Sequence, residues 1–456
     1  MESRRKFLQT ILAGAGMMLV SPMANHASPV SPQRIKNPGT TVYRAIHGSP
    51  HDNLMKVVEM LGGIENLVGS EDIVLIKPNV QWWSQGAPNL CALKSFVDLI
   101  MNRTGGFKGE VVIAENCHRG ASPWKSAHSG WSSSFQRNAD LPNTSNVNDL
   151  CSQLKATYGT RFSTVHWIDV QVGAKRIFSP SDGVGYVYCD GTGGIPLLQC
   201  DNGASGSLRR STIMTYPIFQ TDKGTIVDFK NGIWKKGSYT GQPLRFINFA
   251  ALNHHSTFCG ATSAIKNYMG ITDLSGGGDP SKGGRLCADH YNFHSFAFNW
   301  SSPGPVPGML GKEIASFMKT VRKADLNIVT AEWTGLSSRT DPPVAHTQVV
   351  AACTDPVALD YHTTKYILYP NSKLAIHNPD DKKSPVYQYL KRCADEGGGV
   401  FDESQVGIQS YDVKSKQTQP DNVLIVKGNT TWGNSLKPLA KYFLLRYFNG
   451  VLQLIS

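Results

Sequence analysis

The stretch Arg245-Phe-Ile-Asn-Phe-Ala-Ala-Leu-Asn-His-His-Ser-Thr-Phe-Cys-Gly-Ala-Thr-Ser-Ala-Ile-Lys-Asn-Tyr-Met-Gly270 decides how the chain is read. Phe246 to Leu252 is apolar and β-prone, so it predicts a buried strand. The composition then turns polar at Asn253, His254, His255, Ser256 and Thr257. From Gly260, the residues Ala261, Ala264, Ile265, Tyr268 and Met269 recur at helical spacing, with Gly270 as the expected C-cap. Thr262 and Lys266 fall four apart on the other face, as do Ser263 and Asn267. A strand that ends in two imidazoles and feeds a helix carrying Lys-Asn is where an α/β protein places a binding site.

Working outward, the same arrangement repeats. Ile73–Ile76 predicts a strand that ends in Lys77-Pro78-Asn79. A helix is expected from Leu90 to Met101, and then a strand from Val111 to Ala114 that ends in Glu115. Strand, helix and strand at this spacing form a βαβ unit, so the sheet is parallel here. Later strands are expected at Leu326–Val329, ending in Glu332, at Gln348–Ala352, ending in Asp355, and at Asn422–Val426. Helices are expected at 51–67, 309–324 and 387–394. From Thr164 to Lys236 the chain reads as short strands with Asp-Gly and Asn-Gly turns. The fold class is therefore α/β: a mainly parallel sheet flanked by helices, with an inserted antiparallel β-rich segment at about 120–240.

In such a sheet the carboxyl ends of the strands share one edge, where ligands bind. That edge supplies the candidate catalytic residues Lys266, His255, Glu115 and Asp355, and the candidate ligand-binding residues Lys77, Asn79, Asn267 and His254. The lysines suit an anion such as a carboxylate or phosphate. Glu115 and Asp355 suit a cation, or orient a lysine, and Asp355 also fits an N-cap before Pro356. On an extended chain His254 and His255 point to opposite faces, so only one can face the site. Elsewhere, His290 and His294 lie four apart, and the glycine run at 276–284 reads as a mobile loop beside the site.

Three pieces carry a family resemblance. His255 with Ala264-Ile265-Lys266-Asn267-Tyr268-Met269-Gly270 is similar to the Lys-x-His…Gly-Ala-Leu-Lys-Asn-x-x-Gly signature of the DUF362 family, with Asn253 where that signature has Lys. Lys77-Pro78-Asn79 and Asp355-Pro356-Val357-Ala358-Leu359-Asp360 agree in the same order. The resemblance implies a family of undefined chemistry. In general layout that family resembles the nickel-dependent lactate racemase group, whose motifs have no match in this chain. A metal ion is thereby the candidate cofactor. No Cys-x-x-Cys occurs among the nine cysteines, so the ferredoxin-type pattern that some family members append is missing.

The N-terminus carries its own signal. Ser3-Arg4-Arg5-Lys6-Phe7-Leu8 and the short apolar run that follows look like a twin-arginine (Tat) export signal over 1–27, with a Pro-rich linker at 28–42 and the α/β domain at 43–456. That predicts the Tat export machinery as a partner and a periplasmic or extracellular location. In an oxidising compartment disulfides become available, with Cys189 and Cys200 the nearest pair in sequence. The formal charge is +11, which suits an anionic substrate, an anionic glycan or a membrane face, and equally a plain solvated cationic surface. Charged residues make up 17%, with 44 Gly and 25 Pro, which fits a loop-rich globular chain rather than a disordered one. No nucleic-acid module and no stable membrane span is read from the sequence. The leading functional expectation is a metal- or cofactor-assisted enzyme acting on a small anionic ligand. The alternative is a non-catalytic periplasmic binding or cofactor-assembly protein.

Overall fold

The structure, a computed structural model, describes residues 39–116, 129–203, 205, 211–275, 289–293, 308–433 and 442–443. The twin-arginine stretch, the glycine run at 276–284, His294 and the imidazole of His290 lie outside the described residues.

The frame is one mixed sheet. Its strands are β1 (Thr40–Ile46), β2 (Ile73–Pro78), β3 (Glu110–Asn116), β4 (Phe162–Trp167), β5 (Leu244–His254), β6 (Leu326–Gly335), β7 (Val344–Cys353), β8 (Val406–Asp412) and β9 (Gln417–Gln419). They lie in the order β9-β8-β1-β7-β6-β5-β2-β3-β4. β6, β5, β2, β3 and β4 run parallel, whereas β7 is antiparallel to both β6 and β1. β2 and β3 are buried along their whole length, as strands covered on both faces must be.

Helices α1 (Pro50–Met60), α2 (Leu90–Met101) and α3 (Val147–Tyr158) cover one face. Val74, Ile76, Val111, Ile113, Ile247 and Phe249 point into that layer. Strand alternation sends Ile73, Leu75, Val112, Ala114, Phe246 and Ala250 to the other face. There they meet a short helical turn α4 (Ala264–Asn267) and helices α5 (Met309–Thr320), α6 (Pro356–Thr363) and α7 (Pro385–Asp395). A second, six-stranded sheet from residues 175–239 caps this face, with every pairing antiparallel except Lys175–Ile177 against Gly185–Val187.

Several expectations are corrected. The insertion begins later than residue 120, because α3 and β4 belong to the main sheet and its helical layer. Residues 40–42 open β1 and are not linker. The helix expected over 51–67 stops at Met60, where Gly62 and Gly63 take φ of +93° and +91°. No strand forms at 422–426. Instead the carbonyls of Val423 and Leu424 accept from the buried Arg44 guanidinium, so a side chain satisfies this backbone in place of a ladder. Cys189 and Cys200 are both free thiols, as are all seven described cysteines.

Candidate functional site

The site is built where β5 leaves the sheet. After His254 the chain turns back, and Ala261–Thr262 pairs antiparallel with His254 and Asn253. The helix expected from Gly260 therefore starts only at Ala264 and lasts four residues before a 3-10 turn over Tyr268–Ile271. Gly270 lies inside that 3-10 turn and is not a C-cap. A Cβ there would sit 1.8 Å from Glu115 Oε1, so its glycine answers a close approach.

Beneath α4 lies a fully buried polar network. Lys77 Nζ, 0% exposed, donates to Glu115 Oε2 and, at 2.6 Å, to Asn267 Oδ1. Asn267 Nδ2 donates to Lys77 O at 3.0 Å and to Asn248 Oδ1 at 2.7 Å. Asn248 in turn donates to Ala264 O and to Asn327 Oδ1, both at 2.8 Å. Three asparagines thus bridge α4, β5 and β6. Burial pushes the Lys77 ammonium down and the Glu115 carboxyl up, and their mutual attraction opposes both shifts.

Above this floor opens a narrow cleft lined by Asn79, Gln81, Trp82, His255, Thr262, Lys266, Asn267, Gly270 and Arg339. The cleft as a whole is tight, with internal room of about 10 Å³, close to the minimum for one water. Arg339 lies over the Trp82 ring at 4.5 Å. Thr262, 5% exposed, has a hydroxyl buried without a hydrogen-bond partner among the described residues. Lys266 Nζ donates to Met269 Sδ. Burial first, then the charges of Arg339, Lys266 and His254, holds the His255 imidazolium well below its ordinary pKa, so the ring is neutral. Its Nδ1 accepts from Ser256 N at 2.8 Å, which puts the ring proton on Nε2.

Of the eight candidates, Lys266, His255, Asn79 and Asn267 line the cleft, and Lys77 and Glu115 lie buried just below it. Two lie elsewhere. His254 turns away, with Nδ1 3.0 Å from His377 Nε2, and His377 continues to Ser372 Oγ at 2.6 Å. Asp355 is at the opposite edge of the sheet, because β7 runs antiparallel and its carboxyl end meets the start of β6, with Cys353 opposite Asn327. Its carboxylate accepts from Val357 N, Ala358 N and Val400 N, so it caps α6 and ties a loop. Glu332 is also off the cleft, bonded to His346 Nε2 at 2.7 Å.

Arg339, Gln81, Asn248, Asn327 and Asp360 were not among the candidates. Asn248 and Asn327 did leave a signal, since an amide inside an apolar strand needs a buried partner. Arg339 sits on an aperiodic loop and left none. Among the described residues the cleft offers two cations, three amides, a hydroxyl and a neutral imidazole but no lining carboxylate, a set that does not suit a metal cation. Among the described residues no group of three His, Cys, Asp or Glu is placed to hold a metal.

The family described as a domain of unknown function (DUF362) matches residues 222–365. That span runs from the last part of the cap through β5, α4, β6, β7 and α6, and leaves Lys77-Pro78-Asn79 and Glu115 outside it. No curated protein and no solved structure matches the chain.

Proposed function

We propose, for a chain that carries a DUF362 domain at residues 222–365, that the cleft binds a small anion and that His255 serves there as a neutral hydrogen-bond donor. One observation carries this reading. Among the described residues the Thr262 hydroxyl is buried without a partner, in a cleft whose described lining includes Lys266 and Arg339 and no carboxylate. A buried hydroxyl left unsatisfied costs roughly 1–3 kcal/mol, a cost that a ligand oxygen would remove. The His255 Nε2–H and the Lys266 ammonium then supply charge-assisted donors to the same oxygens. A neutral imidazole in the lining, with its proton on Nε2, can donate a hydrogen bond to a developing oxyanion.

The test uses sulfate and oxalate as probes, with affinity read by calorimetry. Lys266→Met keeps the length of the side chain and its apolar packing. It is expected to melt close to the parent and to bind both anions at least about tenfold more weakly, within the 1–3 kcal/mol range for losing a charged hydrogen-bond partner. Unchanged affinity in Lys266→Met would remove the residue from the site and the reading with it.

Export belongs to the same proposal. Arg4-Arg5 is the sequence signal for the twin-arginine machinery and a periplasmic location. A paired Arg4→Lys, Arg5→Lys variant is expected to stay in the cytoplasm unprocessed. Cell fractionation checks this, and a normal periplasmic yield would contradict it.

A further inference from the structure

We infer that Asp360 is a positioning residue for the cleft: its carboxylate grips the turn between Thr262 and Lys266 and so sets the position of both, an inference that rests on the anion-binding reading above. Asp360 stands on α6, outside the cleft, and is 3% exposed. One carboxylate oxygen accepts from Ala264 N at 2.8 Å and the other from Ile265 N at 2.9 Å. Those two amides lie between Thr262 and Lys266, the two residues that bring a hydroxyl and an ammonium to the cleft. Ala264 is held from its other end as well, through its carbonyl on Asn248 Nδ2. A four-residue helix has too few internal bonds to hold its own direction, so the anchors at its start decide where Lys266 points.

The grip needs both oxygens as acceptors, which only the ionised form supplies. A protonated carboxyl turns one oxygen into a hydroxyl, and one buried amide then loses its partner. Burial raises the Asp360 carboxyl to about 7, against the lowering effect of the Ile265 amide, the Ser263 side chain and the Ala264 amide. The groups facing it are Cys259, Tyr268, Tyr389 and Cys393, together with Asp355 on its own helix. Burial pushes these thiols and phenols up, Cys259 to about 12, so none of the four ionises near neutrality.

Binding and stability should respond to pH in opposite directions. The folded-state carboxyl is raised above its ordinary value of 3.8, so its contribution to stability is complete below about 4 and is lost as pH rises to about 7. Anion affinity should instead rise through that upper limit, as the ionised carboxylate closes the turn. Sulfate is the probe, because it keeps its charge over this range and His255 stays neutral.

The experiment titrates sulfate into the full chain and into Asp360→Asn from pH 5.5 to 8. Asn has one acceptor oxygen and mimics the protonated form. The expected result is a parent affinity that rises several-fold with a midpoint near 7, and a variant that stays flat at the parent's low-pH affinity. Parallel profiles would overturn the inference while leaving the anion site standing. Absence of sulfate binding by the parent at every pH would overturn the anion site, and the inference with it. If Asp360→Asn does not fold, amide exchange in the parent decides. Protection factors of Ala264 and Ile265 that fall below pH 7 support the grip, and constant protection overturns it.

Discussion

Replacing Lys77 by Met is expected to cost about 3–5 kcal/mol of folding stability, the usual result of leaving one member of a buried ion pair behind. Lys77 and Glu115 are both 0% exposed, so bulk solvent does not soften the loss. Without the ammonium, Glu115 must take up a proton or remain an uncompensated charge among β2, β3 and Gly270. Asn267 Oδ1 also loses its donor, so the tie between α4 and the sheet weakens. The paired variant Lys77→Met, Glu115→Gln should recover most of the stability, because it removes both charges and the glutamine oxygen can still accept from Asn116 N. Denaturant melts of the parent, both single variants and the pair give the coupling energy. A value above about 2 kcal/mol is expected for contacting residues, and a cost below about 1 kcal/mol for Lys77→Met alone would contradict the account.

The second large effect is expected from a single methyl. In Gly270→Ala the new carbon would lie 1.8 Å from Glu115 Oε1 and 2.7 Å from its carboxyl carbon. Glu115 cannot swing aside, because Oε2 is held by Lys77 and Oε1 accepts from Asn116 N at 2.8 Å. The 3-10 turn must therefore move, at a cost of about 1–3 kcal/mol for overpacking, and it takes one wall of the cleft with it. Anion affinity should fall along with the melting temperature. Shortening Glu115 to Ala in the same chain should make the Gly270 substitution cheaper than it is alone, since the clash is then gone. Additive losses in the double variant would place the damage elsewhere.

The parallel half of the sheet was readable from its apolar runs, and so was the habit of those runs of ending in polar groups. Strand direction was not. Gln348–Ala352 is as apolar as its neighbours, and nothing in five such residues says that β7 returns antiparallel and carries Asp355 to the far edge. The central signature misled in a different way. Ala261 and Thr262 fit a helical period, yet they pair with the end of β5, because closing that turn satisfies the Asn253 and His254 backbone. Tertiary pairing overrode a local pattern only a few residues long. Asp360 was visible in the family motif, but its role was not, because a carboxylate that caps another element has no local signature. Arg339 reached the cleft only through the three-dimensional course of the loop after β6.

The place of β1 in the sheet has a consequence for how the chain is made. Thr40–Ile46 is hydrogen-bonded on one side to residues 349–352 and on the other to 406–412. On a ribosome this strand emerges before both partners, which come some 300 and 360 residues later. At about 5–20 residues per second it waits roughly 20–70 s for the second of them. Through that interval both edges of an apolar segment stand open, a template for wrong pairing. Translation paused anywhere between this strand and residue 406 leaves the sheet open at β1.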